Sequence, residues 1–283
     1  MSDSRPIYFF VHVPKCAGRS VELHLEAHLG ERFVYLRRKR GWRRHLSEHI
    51  YRLPQRFDPP ATDAVSGHAL GRSLLSRFEG REVRESVLLR DPLSLLVSFY
   101  NFRMSRFTHE GWPHVDFERF YQSRHLNPVS TFLLVNYLEV PWARLLTMSE
   151  ADKLDRISEA FEDFWFVGDY RQCDRLIATV SEQFGIPDQA PRANVLEAKK
   201  LTTDTVPQAM RDRIAEECAL DQALYDMWAG RGFREQAPAP QSLPAGNRIG
   251  RIIRHEAARQ VENARITAMR KRLGRKPRPV EED

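Results

Sequence analysis

The sequence predicts an α/β fold, a parallel sheet flanked by helices. Short runs rich in apolar and β-branched residues recur at 7–13, 32–36, 62–66, 83–89 and 164–167. Segments of helical periodicity separate them, so successive strands must be joined by crossovers. With 283 residues, 42% of them hydrophobic, the chain can build one large core, assigned here to residues 1–235.

Strand 7–13 is followed by Pro14, Lys15, Cys16, Ala17, Gly18, Arg19 and Ser20. Val21, Leu23, Leu25 and Leu29 then carry a helix over 18–29, with Gly30 as its stop. A buried strand turning into a helix through a small-residue loop is suited to an anion. The backbone N–H groups and the helix start converge on one spot, and Lys15 adds a full charge. The loop is not a Walker A motif, which places lysine directly before the hydroxyl residue. The pattern also fits an ordinary βα turn, and His12 fits a structural histidine packed beneath the loop.

After the strand at 32–36 come six basic residues between Arg37 and Arg44, around Gly41 and Trp42. They suit a solvated loop or a platform for an acidic or sulfated glycan. No nucleic-acid motif accompanies them. A short helix is expected over 46–53 and a strand over 62–66. Gly67-His68 then falls at a strand's C-terminal end, where open α/β sheets bind ligands.

Strand 83–89 leads to Arg90-Asp91-Pro92. Asp91 suits an N-cap and Pro92 the first helical position. The helix over 93–103 is apolar nearly all round, and its Ser98 stands eight positions after Arg90. The segment with His109, Trp112 and His114 suits an acceptor cleft or lid. Helices are expected over 116–122, 128–137, 150–161 (capped by Ser149), 172–184 and 207–228, and the last core strand over 164–167.

HVPKCAG, followed in order by Gly67-His68 and LLRDPLSLLVSFYN, resembles the P-loop-like carbohydrate sulfotransferases that use 3′-phosphoadenosine 5′-phosphosulfate. The resemblance runs over about residues 7–185 and implies a P-loop-NTPase-like sheet. It implies that Lys15, Cys16, Ala17, Gly18, Arg19 and Ser20 hold the 5′-phosphosulfate and that Arg90 and Ser98 hold the 3′-phosphate. Lys15 and His68 would be catalytic, His68 as general base, with no metal required. Transfer would go to a hydroxyl or amine of a glycan or small acceptor, leaving adenosine 3′,5′-bisphosphate. Arg19 departs from the family pattern, standing where threonine is frequent, and FEDFWFVGDYRQCDRLI resembles the family's F-x-F-V-G-x-x-E-x-x-D segment but lacks its glutamate. Residues 191–194 fall where relatives carry an asparagine-containing loop. A nucleotide kinase or NTPase, and a non-catalytic interaction protein, remain alternative readings.

Three widely spaced cysteines, Cys16, Cys173 and Cys218, argue against a disulfide framework and suit a cytoplasmic protein. No apolar run approaches a membrane span, and the short polar start leaves no expected leader or anchor. The net charge of +6 resides entirely in residues 247–283, with 11 Lys/Arg against 5 Asp/Glu. Residues 236–246 read as a linker. Beyond it Ile249, Ile253, Val261 and Ala264 recur at helical spacing, on a basic helix expected to pack on its own domain or a partner. Weak contact with an anionic membrane surface is the other option. Disorder is expected over 271–279.

Overall fold

The computed structural model describes residues 5–38, 51–54, 57–109, 115–189, 201–233 and 249–272. In chain order the first elements are β1 (Ile7–Val11), α1 (Gly18–Leu29), β2 (Phe33–Tyr35), β3 (Arg37–Arg38), β4 (Tyr51–Arg52), β5 (Ala64–Gly67), β6 (Val83–Leu89) and α2 (Pro92–His109). A helical stretch follows: α3 (Phe117–Gln122), α4 (Pro128–Phe132), a π-turn (Leu133–Tyr137), α5 (Trp142–Thr147) and α6 (Glu150–Asp163). The chain continues through β7 (Phe166–Asp169), α7 (Cys173–Phe184), α8 (Gln208–Glu217), α9 (Ala219–Trp228), β8 (Gly232–Phe233) and α10 (Ile249–Arg272).

Six strands form one sheet in the order β2-β5-β1-β6-β7-β8. The first five run parallel, and β8 pairs antiparallel with β7. All five residues of β1 are buried, as the continuous apolar run of a central parallel strand requires. Register aligns Val11 with Gly67 and Val87, and Val87 with Val167. The loops that follow β1, β5, β6 and β7 therefore open along one edge of the sheet.

Helix starts follow local chemistry. Asp91 Oδ1 accepts the Ser94 N–H at 2.8 Å ahead of α2, and Ser149 and Asp152 form a reciprocal capping box at α6. Four expectations need correction. Tyr51–Arg52 is not helical but pairs with Arg37–Arg38 as a two-stranded ribbon. The helix expected over 128–137 changes to π geometry at Leu133, which turns Asn136 and Tyr137 inward. The helix expected over 207–228 breaks at Cys218, where Asn127 Oδ1 accepts the Asp221 N–H and the Asp221 carboxylate accepts the N–H groups of Val129 and Ser130 at the start of α4. Lys271 and Arg272 belong to α10. Expectations for residues 39–50, 112, 114, 191–194, 236–246 and 273–279 lie outside the described residues.

The C-terminal helix α10 packs Ile266 against the cluster of Leu96, Met104 and Phe120, and docks largely through polar groups. Glu256 pairs with His125 and, at 3.0 Å, with Arg259; Glu262 lies 3.8 Å from Arg103 and 3.6 Å from Arg119. His255 Nδ1 bonds the Arg124 carbonyl oxygen at 3.0 Å. Ile253 and Val261, the residues whose spacing suggested a packing face, are instead 57% and 66% exposed. Among the described residues no helix is long and apolar enough to cross a membrane.

Candidate functional site

The loop between β1 and α1 is wound tightly. Lys15 and Ala17 both take left-handed backbone conformations, with φ of 67° and 62°. The Cys16 N–H donates to the Val13 carbonyl and the Ser20 N–H to the Ala17 carbonyl, so these two amides hold the loop's own turns. Among the described residues no side chain caps the start of α1. The amides of Gly18 and Arg19 in its first turn keep the positive end of the helix dipole available to an anion.

The loop side chains divide by role. Lys15 Nζ lies 3.7 Å from the ring centroid of Phe102 on α2, a cation–π contact at the rim of the loop. Cys16 points inward, 1% exposed, and burial pushes its thiol pKa up. Its side chain is part of the core and not of an anion cradle. Arg19 turns along α1, 3.6 Å from Glu22 and 3.9 Å from Glu26.

His68 follows β5 directly. Gly67 precedes it with φ of +136°, and a Cβ there would stand 2.4 Å from the Leu36 carbonyl oxygen, so only glycine fits this approach. His68 Nδ1 lies 2.9 Å from the His12 carbonyl oxygen. A carbonyl only accepts, so Nδ1 carries the hydrogen and Nε2 is the basic nitrogen of the neutral ring. The Asn136 amide donates to the His68 carbonyl at 3.3 Å, and the Phe132 ring stands edge-on to the imidazole. The end of α4 and the π-turn after it thus brace the far side of His68.

Behind it sits His12, buried at the end of β1. Its ring centroid is 4.0 Å from that of His68, and its Nδ1 is 2.8 Å from Glu22 Oε1. Ser66 Oγ donates to the same carboxylate oxygen at 2.9 Å. Burial alone would raise the Glu22 carboxyl, but the contact and charge of His12, the charge of His68 and the Ser66 hydroxyl hold it below the usual carboxylate range. Glu22 and Ser66 carry no sequence signal beyond being polar among apolar neighbours.

Arg90, at the end of β6, reaches across to the loop. Its Nη1 donates to the Lys15 carbonyl at 3.1 Å and its Nε to Ser94 Oγ at 2.7 Å. The guanidinium carbon lies 4.1 Å from the Tyr170 ring centroid, beyond β7. Ser94, four positions on, and not Ser98, is the hydroxyl bonded to Arg90; Ser98 stands a turn further along α2, half-buried. Tyr170 in turn lies beside Asp169, which accepts a hydrogen bond from the Tyr225 hydroxyl.

Lys15, His68 and Arg90 thus each follow a central strand at the same C-terminal edge, Arg90 bonded to the Lys15 carbonyl and His68 to that of His12. The arrangement offers fixed cations and helix-start amides to an anion, and beside them one histidine with a defined basic nitrogen. Compared with known proteins, the chain matches no family model and no curated protein.

Proposed function

We propose that this protein is a sulfotransferase, moving a sulfuryl group from 3′-phosphoadenosine 5′-phosphosulfate to a hydroxyl or amine of a glycan or small acceptor. One observation carries the reading: the 3.1 Å bond from Arg90 to the Lys15 carbonyl, which joins two anion-binding motifs 75 positions apart in the chain. Two adjoining anion-binding motifs, one carrying Lys15 and the other Arg90, fit a donor with phosphate groups at two positions. The strand order, with β1 between β5 and β6, supports a P-loop-NTPase-like architecture. The three free, buried cysteines suit a reducing cytoplasm.

When bound, the donor supplies an activated sulfuryl group on a phosphate leaving group. The protein's part is electrostatic and positional. Lys15 and the first amides of α1 stabilise charge that grows on the leaving phosphate oxygen. Arg90 keeps further N–H groups for the 3′-phosphate after bonding Ser94 and the loop. His68 Nε2 takes the proton of the acceptor as its oxygen or nitrogen attacks.

The test is calorimetric titration with adenosine 3′,5′-bisphosphate, with ATP–Mg²⁺ and an Arg90→Ala variant as controls. Micromolar binding that ATP does not match and the variant loses is the expected result. A folded protein that binds none overturns the reading, and tight ATP–Mg²⁺ binding in its place favours a nucleotide kinase.

A further inference from the structure

We propose that Glu22 is a positioning residue for His68, acting through His12 to hold the imidazole and to favour its protonated form. The inference rests on the sulfotransferase reading for its chemical purpose and on geometry for its substance.

Glu22 is a carboxylate 1% exposed in the first turns of α1, a costly place for a charge without partners. Arg19 lies 3.6 Å from the outer carboxylate oxygen, and the two partners of the inner oxygen lead towards His68. His12 Nδ1 lies 2.8 Å from Oε1, and Ser66, two residues before His68, donates to the same oxygen at 2.9 Å. His12 then touches His68 twice: ring against ring at 4.0 Å between centroids, and carbonyl oxygen to Nδ1 at 2.9 Å. The second contact fixes the tautomer. The first fixes the plane of the ring. Rotation of the His12 side chain would disturb the ring contact, and the Glu22 carboxylate 2.8 Å from Nδ1 opposes it; the carbonyl contact belongs to the backbone and does not depend on the rotamer.

The charge matters as well as the shape. In the transfer step the acceptor's electron pair forms the new bond to sulfur. The bond from sulfur to the phosphate oxygen breaks, with its pair going to that oxygen. The acceptor's proton goes to His68 Nε2, which leaves an imidazolium. With the His12 ring between them uncharged, a buried anion one ring away lowers the cost of that cation, the role a carboxylate plays behind a catalytic histidine, here across a second histidine. Among the described residues the charged and titratable groups on the elements packed here are His12 after β1, Glu22 and Arg19 on α1, and Lys15 in the loop between them. The π-turn side contributes the Phe132 ring and the Asn136 amide, which carry no charge.

The test is the NMR titration of the His68 ring, assigned with His68→Asn, in the full chain and in Glu22→Gln and Glu22→Asp. Glutamine keeps the shape and an accepting oxygen but not the charge. The midpoint of His68 is expected to fall by about half a pH unit or more in Glu22→Gln and to recover largely in Glu22→Asp. In Arg19→Ala, an exposed change that removes the cation 3.6 Å from Glu22 and should fold if Glu22→Gln does not, the midpoint should rise. An unmoved midpoint in every folded variant overturns the proposal. The titration needs neither donor nor acceptor. Failure to bind adenosine 3′,5′-bisphosphate would therefore defeat the sulfotransferase reading alone, and a fixed midpoint in an active enzyme would defeat the role of Glu22 alone. If both hold, the acid limb of the kcat profile in Glu22→Gln moves with the midpoint, while KM for the donor stays within about twofold.

Discussion

Gly18 and His12 share one space. A Cβ on Gly18 would stand 2.1 Å from His12 Cδ2, well inside any tolerable contact. His12 has little room to yield, because Glu22 holds it on one side and His68 packs on the other. The glycine of the loop is therefore required by the histidine beneath it. Gly18→Ala should destabilise the fold by about 1–3 kcal/mol, the usual range for an overpacked core. Thermal melting should show it as a drop of a few degrees, and calorimetry as a loss of adenosine 3′,5′-bisphosphate binding of at least about tenfold. A variant with native melting and binding would mean the ring moves freely.

The two serines of α2 should behave differently. Ser94 fixes the Arg90 guanidinium through Nε, so Ser94→Ala should weaken anion binding by loosening that arginine, about fivefold to tenfold. The bonding of Arg90 leaves the proposed 3′-phosphate contact of Ser98 to stand on its own. If Ser98 makes it, Ser98→Ala loses a similar factor, and the Ser94→Ala loss vanishes in an Arg90→Ala background while the Ser98→Ala loss persists. Calorimetric double-mutant cycles separate the two.

Much of this geometry was legible in the sequence, and the gaps have physical causes. Strand 83–89 and helix 18–29 were found to the residue, because apolar runs and a terminal glycine mark them locally. Arg90 was placed at its strand end by the same logic. Ser94 carries no such mark: Arg90 ends a strand, and the approach of its Nε to a hydroxyl in the first turn of the next helix is set by tertiary geometry. The break at Cys218 was invisible, since apolar periodicity runs through it and the cause lies in Asn127 and Asp221 meeting from distant segments. The docking face of α10 is hidden from the sequence for a related reason. Its exposed Ile253 and Val261 looked like a packing stripe, while Glu256 and Glu262 found arginines and a histidine on α2, α3 and the segment after α3 that no local pattern announces.

All three thiols should be inert in the folded protein. Cys16, Cys173 and Cys218 are buried, and burial pushes Cys173 and Cys218 up to about 12 and Cys16 further in the same direction. Thiolate is the reactive form, so at pH 8 almost none is present. A colorimetric thiol reagent should label none of the three in native conditions and all three in denaturant. Rapid native labelling of Cys16 would show that the loop opens.

Acid should release α10 before the sheet. Burial would raise the Glu256 carboxyl, but His125 and Arg259 outweigh it and bring it down to about 2. A carboxyl lowered on folding contributes stability above its unfolded value, near 4.3, and loses it as pH falls towards the folded value. Docking of α10 should weaken between about pH 4 and pH 2, and Glu256→Gln should weaken it already at neutral pH. Hydrogen exchange would report this as lost protection over residues 249–272 while the residues of β1 and β6 stay protected. Equal loss in helix and sheet at one pH would mean that α10 is not a separate unit.

The left-handed turns at Lys15 and Ala17 set function against robustness. Each strains a residue that has a Cβ, at a cost of about 1 kcal/mol that glycine would avoid. Replacing Lys15 by glycine would relax the backbone and remove the cation in the same step. At this position the most comfortable residue for folding is the least useful one for holding an anion. Selection for heat tolerance alone, with no demand for turnover, would be expected to erode Lys15 early. On the proposed reading, the strain at Lys15 is what the loop bears to keep a cation there.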